Sequence, residues 1–146
     1  MSINRISPEE TKELLDGDEG QVYIDVRTVD EYEAAHIPGT KNIPVMERGP
    51  GGMTPNPNFV GVVEANFAKD AKIITGCLRG GRSMRAAQML IASGFTDVTD
   101  MRGGFDGEMA PGGAIAYDGW SRRGLPVSSE SEPKNRYEEL AKKASE

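Results

Sequence analysis

The chain has 146 residues, with 17 basic and 23 acidic side chains and a formal net charge of −6. This length fits one domain with a proper core but not two, and the acidic balance argues against nucleic-acid binding. No apolar run is long enough to span a membrane, no basic-then-apolar leader is present, and the single cysteine leaves no internal disulfide. These features predict a cytoplasmic protein that does not bind membranes.

A short strand and a capped helix open the chain. The strand is predicted over Ile3–Ile6 and is followed by Ser7-Pro8-Glu9-Glu10. Serine as N-cap, proline at the first helical position and glutamate at the third form a capping box. The helix is expected to end by Gly17.

The β-branched run Val22–Val26 predicts a second strand, which delivers Asp25 and Arg27 to its carboxyl end. Ion pairs and hydrogen-bonded carboxylates commonly fix loops, which favours a structural role for this pair over a reactive one. Thr28 is a candidate N-cap for a helix whose Tyr32 packs inward.

His36 is the only histidine, and its place in a His-Ile-Pro-Gly turn favours a structural hydrogen bond. One histidine and one thiol do not supply four metal ligands, so we expect neither a metal nor a cofactor. Asn42–Pro44 is predicted as a short strand.

The segment Glu47–Asn58 is rich in glycine and proline and is predicted as an extended loop. Long ordered loops are often functional, so Met46, Arg48 or Met53 are candidates for the wall of a pocket, with a plain linker as the alternative. A helix then starts near Asn58. Its inward-facing apolar residues are Phe59, Val62, Val63 and Phe67.

The most informative stretch is Lys72–Arg85, which reads KIITGCLRGGRSMR. A buried strand over Ile73–Thr75 runs into the chain's only cysteine, Cys77. Ser83 is a candidate N-cap, and the helical spacing of the apolar residues after it predicts a helix over Ser83–Ala92.

The glycine pair Gly80-Gly81 lets the backbone turn its N–H groups inward, and a helix N-terminus adds partial positive charge at the same place. The nearest anion is the Cys77 thiolate, the form of cysteine that acts as a nucleophile. A lone cysteine is more often a small buried hydrophobe. Here the glycine turn and the flanking Arg79, Arg82 and Arg85 argue against that reading.

The rest of the chain adds a strand over Asp97–Asp100, a close turn at Gly103-Gly104 and a final helix anchored by Trp120. Alternation of strands and helices predicts parallel pairing with helices on both faces. Beyond Val127 the chain has few apolar residues, which predicts a frayed surface helix or disorder.

Three segments resemble the rhodanese-type sulfurtransferase family. The run Cys77-Leu78-Arg79-Gly80-Gly81-Arg82-Ser83 resembles its active-site loop, Tyr23–Pro44 resembles its first signature, and Gly103-Gly104-Phe105 with Gly119-Trp120 through Val127 resembles its closing signature. The segment from Met46 to Phe59 is similar to that of single-domain rhodaneses from plants and bacteria. The resemblance covers Ile6–Val127, although Gly107–Asp118 exceeds the usual spacing and leaves the lip of the pocket undefined.

The resemblance implies a three-layer α/β domain over residues 1–127, with a mostly parallel five-stranded sheet flanked by helices, and a charged tail over 128–146. It implies that Cys77 takes sulfane sulfur from thiosulfate or a similar small anionic donor and passes it, through a persulfide, to cyanide or a thiol, a protein thiol included. Backbone N–H groups of Leu78 to Ser83 would bind the substrate, with Arg79 and Arg82 attracting the donor. Four residues are expected to be structural: Asp25, Arg27, His36 and Trp120.

Two other functions stay open. A persulfide-carrying protein-interaction module would keep the same cysteine. A cysteine phosphatase of related fold needs an arginine six positions after the cysteine, whereas here Arg82 is the fifth and Ser83 the sixth. This spacing favours sulfur over the larger phosphate.

Overall fold

A computed structural model of the chain describes residues 3–145. Positions 1 and 2 of the predicted domain (1–127) and position 146 of the predicted tail (128–146) lie outside the described residues. The strands are β1 (Asn4–Ile6), β2 (Val22–Asp25), β3 (Lys41–Asn42), β4 (Met46–Gly49), β5 (Gly52–Pro55), β6 (Ile73–Gly76), β7 (Val98–Met101), β8 (Gly107–Met109) and β9 (Ile115–Asp118). The helices are α1 (Pro8–Asp16), α2 (Val29–Ala34), α3 (Phe59–Asn66), α4 (Gly81–Ala92) and α5 (Tyr137–Ala144), with short 3-10 helices at Trp120–Arg122 and Pro133–Asn135. In this range no helix is both long and apolar enough to cross a membrane.

The central sheet has five strands in the order β1-β7-β6-β2-β3, and every neighbouring pair is parallel. This confirms the predicted α/β architecture. Since β6 is the middle strand, the loop that follows it lies at the centre of the sheet's carboxyl edge, where parallel α/β sheets place their sites.

Two apolar layers cover the sheet because successive side chains of a strand point to opposite faces. Ile73 of β6 belongs to a cluster with residues of α3, α4 and α5. Its neighbour Ile74 belongs to a second cluster with Trp120, against which Leu14 and Leu15 of α1 pack. The helices therefore lie on both faces, as predicted.

The capping box predicted for α1 is present, and the predicted N-cap Thr28 forms a second box in α2. The Ser7 side chain accepts the N–H of Glu10 while Glu10 reaches back to the Ser7 N–H, and α1 ends at the predicted Gly17. In α2 the same reciprocal bonds join Thr28 and Glu31. The third strand is two residues long and begins at Lys41, one residue before the predicted Asn42.

The segment predicted as an extended loop forms a β-hairpin instead. Strands β4 and β5 pair antiparallel, and Gly52, with φ +104°, follows the turn that joins them. Backbone hydrogen bonds form this ladder, so its sequence does not require β-branched residues or alternation. Strands β8 and β9 make a second hairpin within Gly107–Asp118.

The C-terminal segment packs onto the domain. Leu140 of α5 is buried, Tyr137 packs against the larger apolar cluster, and the Asn66 side chain of α3 donates to the Leu140 carbonyl. Of the two predicted alternatives, a helix and a disordered segment, the structure contains the helix, and these contacts dock it on the domain where the sequence predicted fraying. Trp120 is buried at the start of a single 3-10 turn, so it does not anchor the last helix of the chain.

Candidate active site

Cys77 lies directly after β6, with its thiol unpaired in any disulfide and only 2% of the residue exposed. Its Sγ accepts the backbone N–H of Gly80 at 3.1 Å and that of Ser83 at 3.3 Å. The Ser83 hydroxyl oxygen lies 3.4 Å from the same sulfur. The two backbone N–H groups are donors that favour negative charge on the sulfur, whereas the Ser83 hydroxyl accepts the thiol S–H and donates to the Gly80 carbonyl.

Helix α4 begins at Gly81 with Gly80 as its N-cap, two residues before the predicted start at Ser83. Gly80 adopts φ +106°, a conformation that costs glycine little and that turns its N–H toward the thiol. Ser83 is therefore not the cap. It is a buried residue of the first helical turn, whose hydroxyl faces both Cys77 and the Gly80 carbonyl.

The predicted turn at Gly103-Gly104 closes against the loop. Phe105 donates its N–H to the Cys77 carbonyl at 2.7 Å, and Asp106 donates to the Leu78 carbonyl at 3.0 Å. A Cβ on Gly104 would lie 2.5 Å from the Cys77 carbonyl oxygen. Glycine is therefore required for this close approach.

Both arginines of the loop are engaged with carboxylates. Arg82 makes two hydrogen bonds to Glu31 of α2, at 2.7 and 3.0 Å. Arg79 pairs with Asp106 at 2.9 Å and donates to the Gly107 carbonyl. That these guanidinium groups bind a donor stays a prediction.

Glu31 was not foreseen as a site residue, although the spacing Thr28-x-x-Glu31 marks a capping box. Burial raises the pKa of Glu31, but hydrogen bonds from Arg82 and from the Thr28 N–H outweigh it and bring the pKa to about 2. The same hydrogen bond raises the pKa of Arg82. Both groups are therefore charged across the physiological range.

A buried hydrogen-bond network links β7 and β6 to the first turn of α4, behind the Cys77 loop. This network was also not predicted from the sequence. Asp100 of β7 is fully buried and accepts Arg5 at 3.1 Å and the Thr75 hydroxyl at 3.1 Å. The Thr75 hydroxyl also lies 3.2 Å from the Ser83 carbonyl. Burial raises the pKa of Asp100, while Ser83, Arg5 and Thr75 act in the opposite direction.

Tyr23 fills the space next to the strand end. A side chain at Gly76 would collide with the Tyr23 hydroxyl, so glycine is needed immediately before the cysteine. Burial, followed by the charge of Asp25, raises the pKa of Tyr23 well above its usual value. The hydroxyl therefore stays protonated beside the loop.

Asp25 and Arg27 form a buried ion pair, with Nη2 of Arg27 2.8 Å from Oδ2 of Asp25. Arg27 also donates to the Ala35 carbonyl at 2.7 Å and stacks over the Phe105 ring at 4.6 Å. The arginine thus joins β2 to α2 and to the turn that holds Cys77. This geometry suits the bracing role predicted for the pair.

His36 and Trp120 are both buried, and the Trp120 backbone N–H donates to the carbonyl of Gly104, in the turn that closes against the Cys77 loop. The two ring nitrogens of His36 lie 2.6 Å from the Tyr32 carbonyl and 2.9 Å from the Glu130 carbonyl. The indole N–H of Trp120 donates to the Pro126 carbonyl at 2.6 Å. All three of these side-chain partners are backbone carbonyl oxygens, and the structural role of His36 and Trp120 stays a prediction.

The three candidate pocket-wall residues lie on the β4–β5 hairpin. Arg48 pairs with Asp30 of α2 at 3.2 Å, Met46 packs against the larger apolar cluster, and Met53 is exposed. No hydrogen bond or ion pair among residues 3–145 joins them to the Cys77 loop. Their role in a pocket wall stays a prediction.

Comparison with known proteins places these features in a family. The sequence model of the rhodanese-like domain family matches residues 7–109 of this chain. The chain is 39% identical over 110 residues to thiosulfate sulfurtransferase 16, chloroplastic, of Arabidopsis thaliana, covering 75% of this chain and 82% of that protein. It is 38% identical to the Arabidopsis rhodanese-like domain-containing protein 15, chloroplastic, covering 74% of this chain but 53% of that protein.

The fold has close counterparts among solved structures. The crystal structure of Rv0390 from M. tuberculosis superposes with a TM-score of 0.73 at 24% identity, covering 89% of this chain and all of that one. At this identity the likeness concerns the fold, while the sequence match extends through the Cys77 loop. The chain therefore belongs to the rhodanese-like domain family.

Proposed function

We propose that the protein is a sulfurtransferase, in which Cys77 accepts sulfane sulfur from thiosulfate or a similar small anionic donor and passes it to cyanide or a thiol. The observation that carries the proposal is the pair of backbone N–H groups, from Gly80 and Ser83, aimed at one buried sulfur. Family membership supports it, as does the name of the thiosulfate sulfurtransferase from Arabidopsis.

In the first step the Cys77 thiolate attacks the outer sulfur of thiosulfate. A new S–S bond forms to Cys77 while the sulfur–sulfur bond of thiosulfate breaks, and its electron pair leaves with sulfite. The products are a Cys77 persulfide anion and sulfite dianion, so the total charge is unchanged. No proton and no external oxidant or reductant is needed.

In the second step the acceptor attacks the outer sulfur of the persulfide. With cyanide, a carbon–sulfur bond forms, the S–S bond breaks, and thiocyanate leaves while the Cys77 thiolate is restored. A thiolate acceptor reacts in the same way and becomes a persulfide, so a protein thiol is equally suitable chemically. The backbone N–H groups that point at the Cys77 sulfur act in both steps, because they stabilise negative charge on the thiolate and on the persulfide.

The proposed compartment is a reducing one such as the cytoplasm, because Cys77 must be a free thiol to accept sulfur. In an oxidising compartment the same thiol would be open to competing oxidation.

Intact mass spectrometry tests the proposal directly. Protein incubated with thiosulfate should gain the mass of one sulfur atom, lose it on addition of cyanide, and release one equivalent of thiocyanate. The Cys77→Ser variant should show neither change, because a hydroxyl is far less acidic and less nucleophilic than a thiol. Circular dichroism and thermal unfolding of the variant provide the control for its fold.

The outcomes also separate the alternative functions. Turnover retained in pure, folded Cys77→Ser would overturn the assignment. If sulfur loads onto Cys77 but is transferred only to a protein thiol and not to cyanide, the protein is a persulfide carrier and not the proposed enzyme.

A further inference from the structure

The ion pair between Arg82 and Glu31 lies at the rim of the Cys77 loop. The Arg82 side chain is 20% exposed and that of Glu31 15%, and the two Nη atoms of the guanidinium each bond one carboxylate oxygen. Such a bidentate pair uses the end of the guanidinium that best matches a planar or tetrahedral oxyanion. An incoming anionic donor therefore meets an Arg82 whose end is already occupied.

Glu31 is held from its other side as well. Its Oε1 accepts the Thr28 N–H at 3.1 Å and the Thr28 hydroxyl at 3.0 Å. These bonds belong to the capping box of α2. The carboxylate is thus fixed between α2 and the first turn of α4, so it does not swing away freely when a donor approaches.

The charge of Glu31 also acts on the site at a distance. Arg82 immediately precedes Ser83, whose N–H donates to Sγ, and the charge of Cys77 contributes to the electrostatic environment of Arg82. A fixed negative charge beside this guanidinium cancels most of the attraction that Arg82 would exert on an anion. Cancellation matters more for a donor with two negative charges than for a donor with one.

We propose that Glu31 sets the charge preference of the donor site, because its fixed negative charge offsets that of Arg82 and thereby disfavours dianionic sulfur donors relative to monoanionic ones. The inference rests on the proposed sulfurtransferase function and makes Glu31 a specificity-determining residue that acts through its charge.

Two donors of different charge test the inference. Thiosulfate carries two negative charges and leaves as sulfite, whereas methanethiosulfonate carries one and leaves as methanesulfinate. In each case Cys77 thiolate forms the new S–S bond, the donor's own sulfur–sulfur bond breaks, and a Cys77 persulfide anion results. The quantity to measure is the ratio of kcat/KM for thiosulfate to kcat/KM for methanethiosulfonate, with cyanide as acceptor.

Glu31→Gln is the informative variant because glutamine at the third helical position still completes a capping box. It removes the charge while keeping the shape and the bond to Thr28. The matched control is Glu10→Gln, which makes the same change in the Ser7 box of α1, and among residues 3–145 the Glu10 side chain has no hydrogen bond or ion pair to the Cys77 loop. We expect the donor ratio to rise about three- to tenfold in Glu31→Gln, the size expected for one unit charge acting on one further charge near a protein surface, and to stay unchanged in Glu10→Gln.

A purely structural role for Glu31 predicts a different result, since disorder of the loop would lower kcat/KM for both donors together. A donor ratio that is unchanged or lower in folded Glu31→Gln therefore overturns the inference. If the single variant does not fold because its guanidinium is left unpaired, Arg82→Gln and the double variant Glu31→Gln/Arg82→Gln replace it, and the ratio must rise from the first to the second.

Failure of the underlying function gives a distinct pattern. If the wild-type protein takes sulfur from neither donor, the sulfurtransferase proposal itself fails. If the wild type turns over both donors and only the ratio is insensitive to Glu31, the function stands and the inference about charge preference falls.

Discussion

The backbone N–H of Phe105 donates to the carbonyl oxygen of Cys77 over 2.7 Å, so the turn after β7 is bonded directly to the residue that carries the thiol. This bond requires the glycine that precedes Phe105. Gly104 has φ +62°, and a Cβ there would lie 2.5 Å from the Cys77 carbonyl oxygen and 2.7 Å from that of Leu78.

Gly104→Ala should therefore displace the loop and remove most sulfur transfer, with a loss of unfolding free energy on the order of 1–3 kcal/mol from the strained conformation. Gly112→Ala is the control, because Gly112 also has a positive φ but nothing lies within 4 Å of its Cβ position. Denaturant unfolding and thiocyanate assays on both variants check the prediction. Equal activities in the two would show that the close approach is not required.

The two loop arginines should differ in their effect on the donor. Arg82→Ala leaves the Glu31 charge unopposed at the rim and should lower kcat/KM for thiosulfate by about tenfold or more, since one unit charge near a protein surface then repels both charges of the dianion. Arg79→Ala should have a smaller effect, because its side chain is 39% exposed and solvent screens its charge.

Arg85→Ala is the control for net charge, as it removes an exposed arginine from the same helix. Added salt should lower the wild-type kcat/KM most and that of Arg82→Ala least. A salt dependence that is the same in all four proteins would assign the arginines to structure alone.

Aryl-phosphatase activity should be absent from the native protein. The N–H groups of Gly80 and Ser83 converge on the sulfur itself, and the end of Arg82 is bound by Glu31, so this guanidinium is not free to clasp a phosphate. Hydrolysis of p-nitrophenyl phosphate should match the Cys77→Ser background. If the protein hydrolyses the phosphate ester in a cysteine-dependent way and does not load sulfur, it is a phosphatase and the sulfurtransferase assignment is wrong.

Inserting one residue between Gly81 and Arg82 should abolish sulfur transfer.

A fall in pH should lower the unfolding free energy of the protein partly through protonation of Glu31. Its pKa lies at about 2 in the folded protein, below the usual value of 4.5, so its contribution is fully present above the usual pKa and is lost as the pH falls through the folded pKa. The stability difference between wild type and Glu31→Gln should therefore be largest near neutral pH and shrink between about pH 4.5 and 2. Urea midpoints across this range measure it, with Glu10→Gln as the control. A difference that does not shrink would mean that the pair with Arg82 contributes no pH-dependent stability.

Helix α5 should contribute measurably to stability. Leu140 is 5% exposed and packs in the larger apolar cluster, so Leu140→Ala should cost about 2–5 kcal/mol of unfolding free energy. Lys143→Ala, an exposed change on the same helix, should stay within about 0.5 kcal/mol of wild type. Similar urea midpoints for the two variants would mean that the helix does not stay docked in solution.

Sequence reasoning was most successful where local signals are strong. The Ser7 capping box, the strand before Cys77 and the glycine turn at Gly103-Gly104 each follow from residues within a few positions of one another. The β4–β5 hairpin was missed because its glycines and prolines are typical of loops, although a ladder needs only backbone groups. Helix α5 was underestimated because two apolar residues are few for a docked helix, and its bond to Asn66 comes from a distant part of the chain.

The electrostatics of the site could not be predicted from one sequence. Glu31 and Arg82 are 51 positions apart, and Arg5 and Asp100 are 95 apart. No local pattern marks such partners, because either member is compatible with an exposed surface position. Cys77 is therefore predicted as a nucleophile from its neighbours in the chain, whereas the partners of Arg82 and of the loop can be identified only from the fold.

The position of β1 at the edge of the sheet affects how the protein is made. This strand pairs with β7 alone, so on a ribosome its partner emerges only after most of the chain has been synthesised. Until then Arg5 has no Asp100 to bind, and the turn at Gly104 has not reached Cys77. Contacts this distant in sequence form slowly, so the nascent chain passes through a period in which Cys77 has been synthesised but is not yet enclosed.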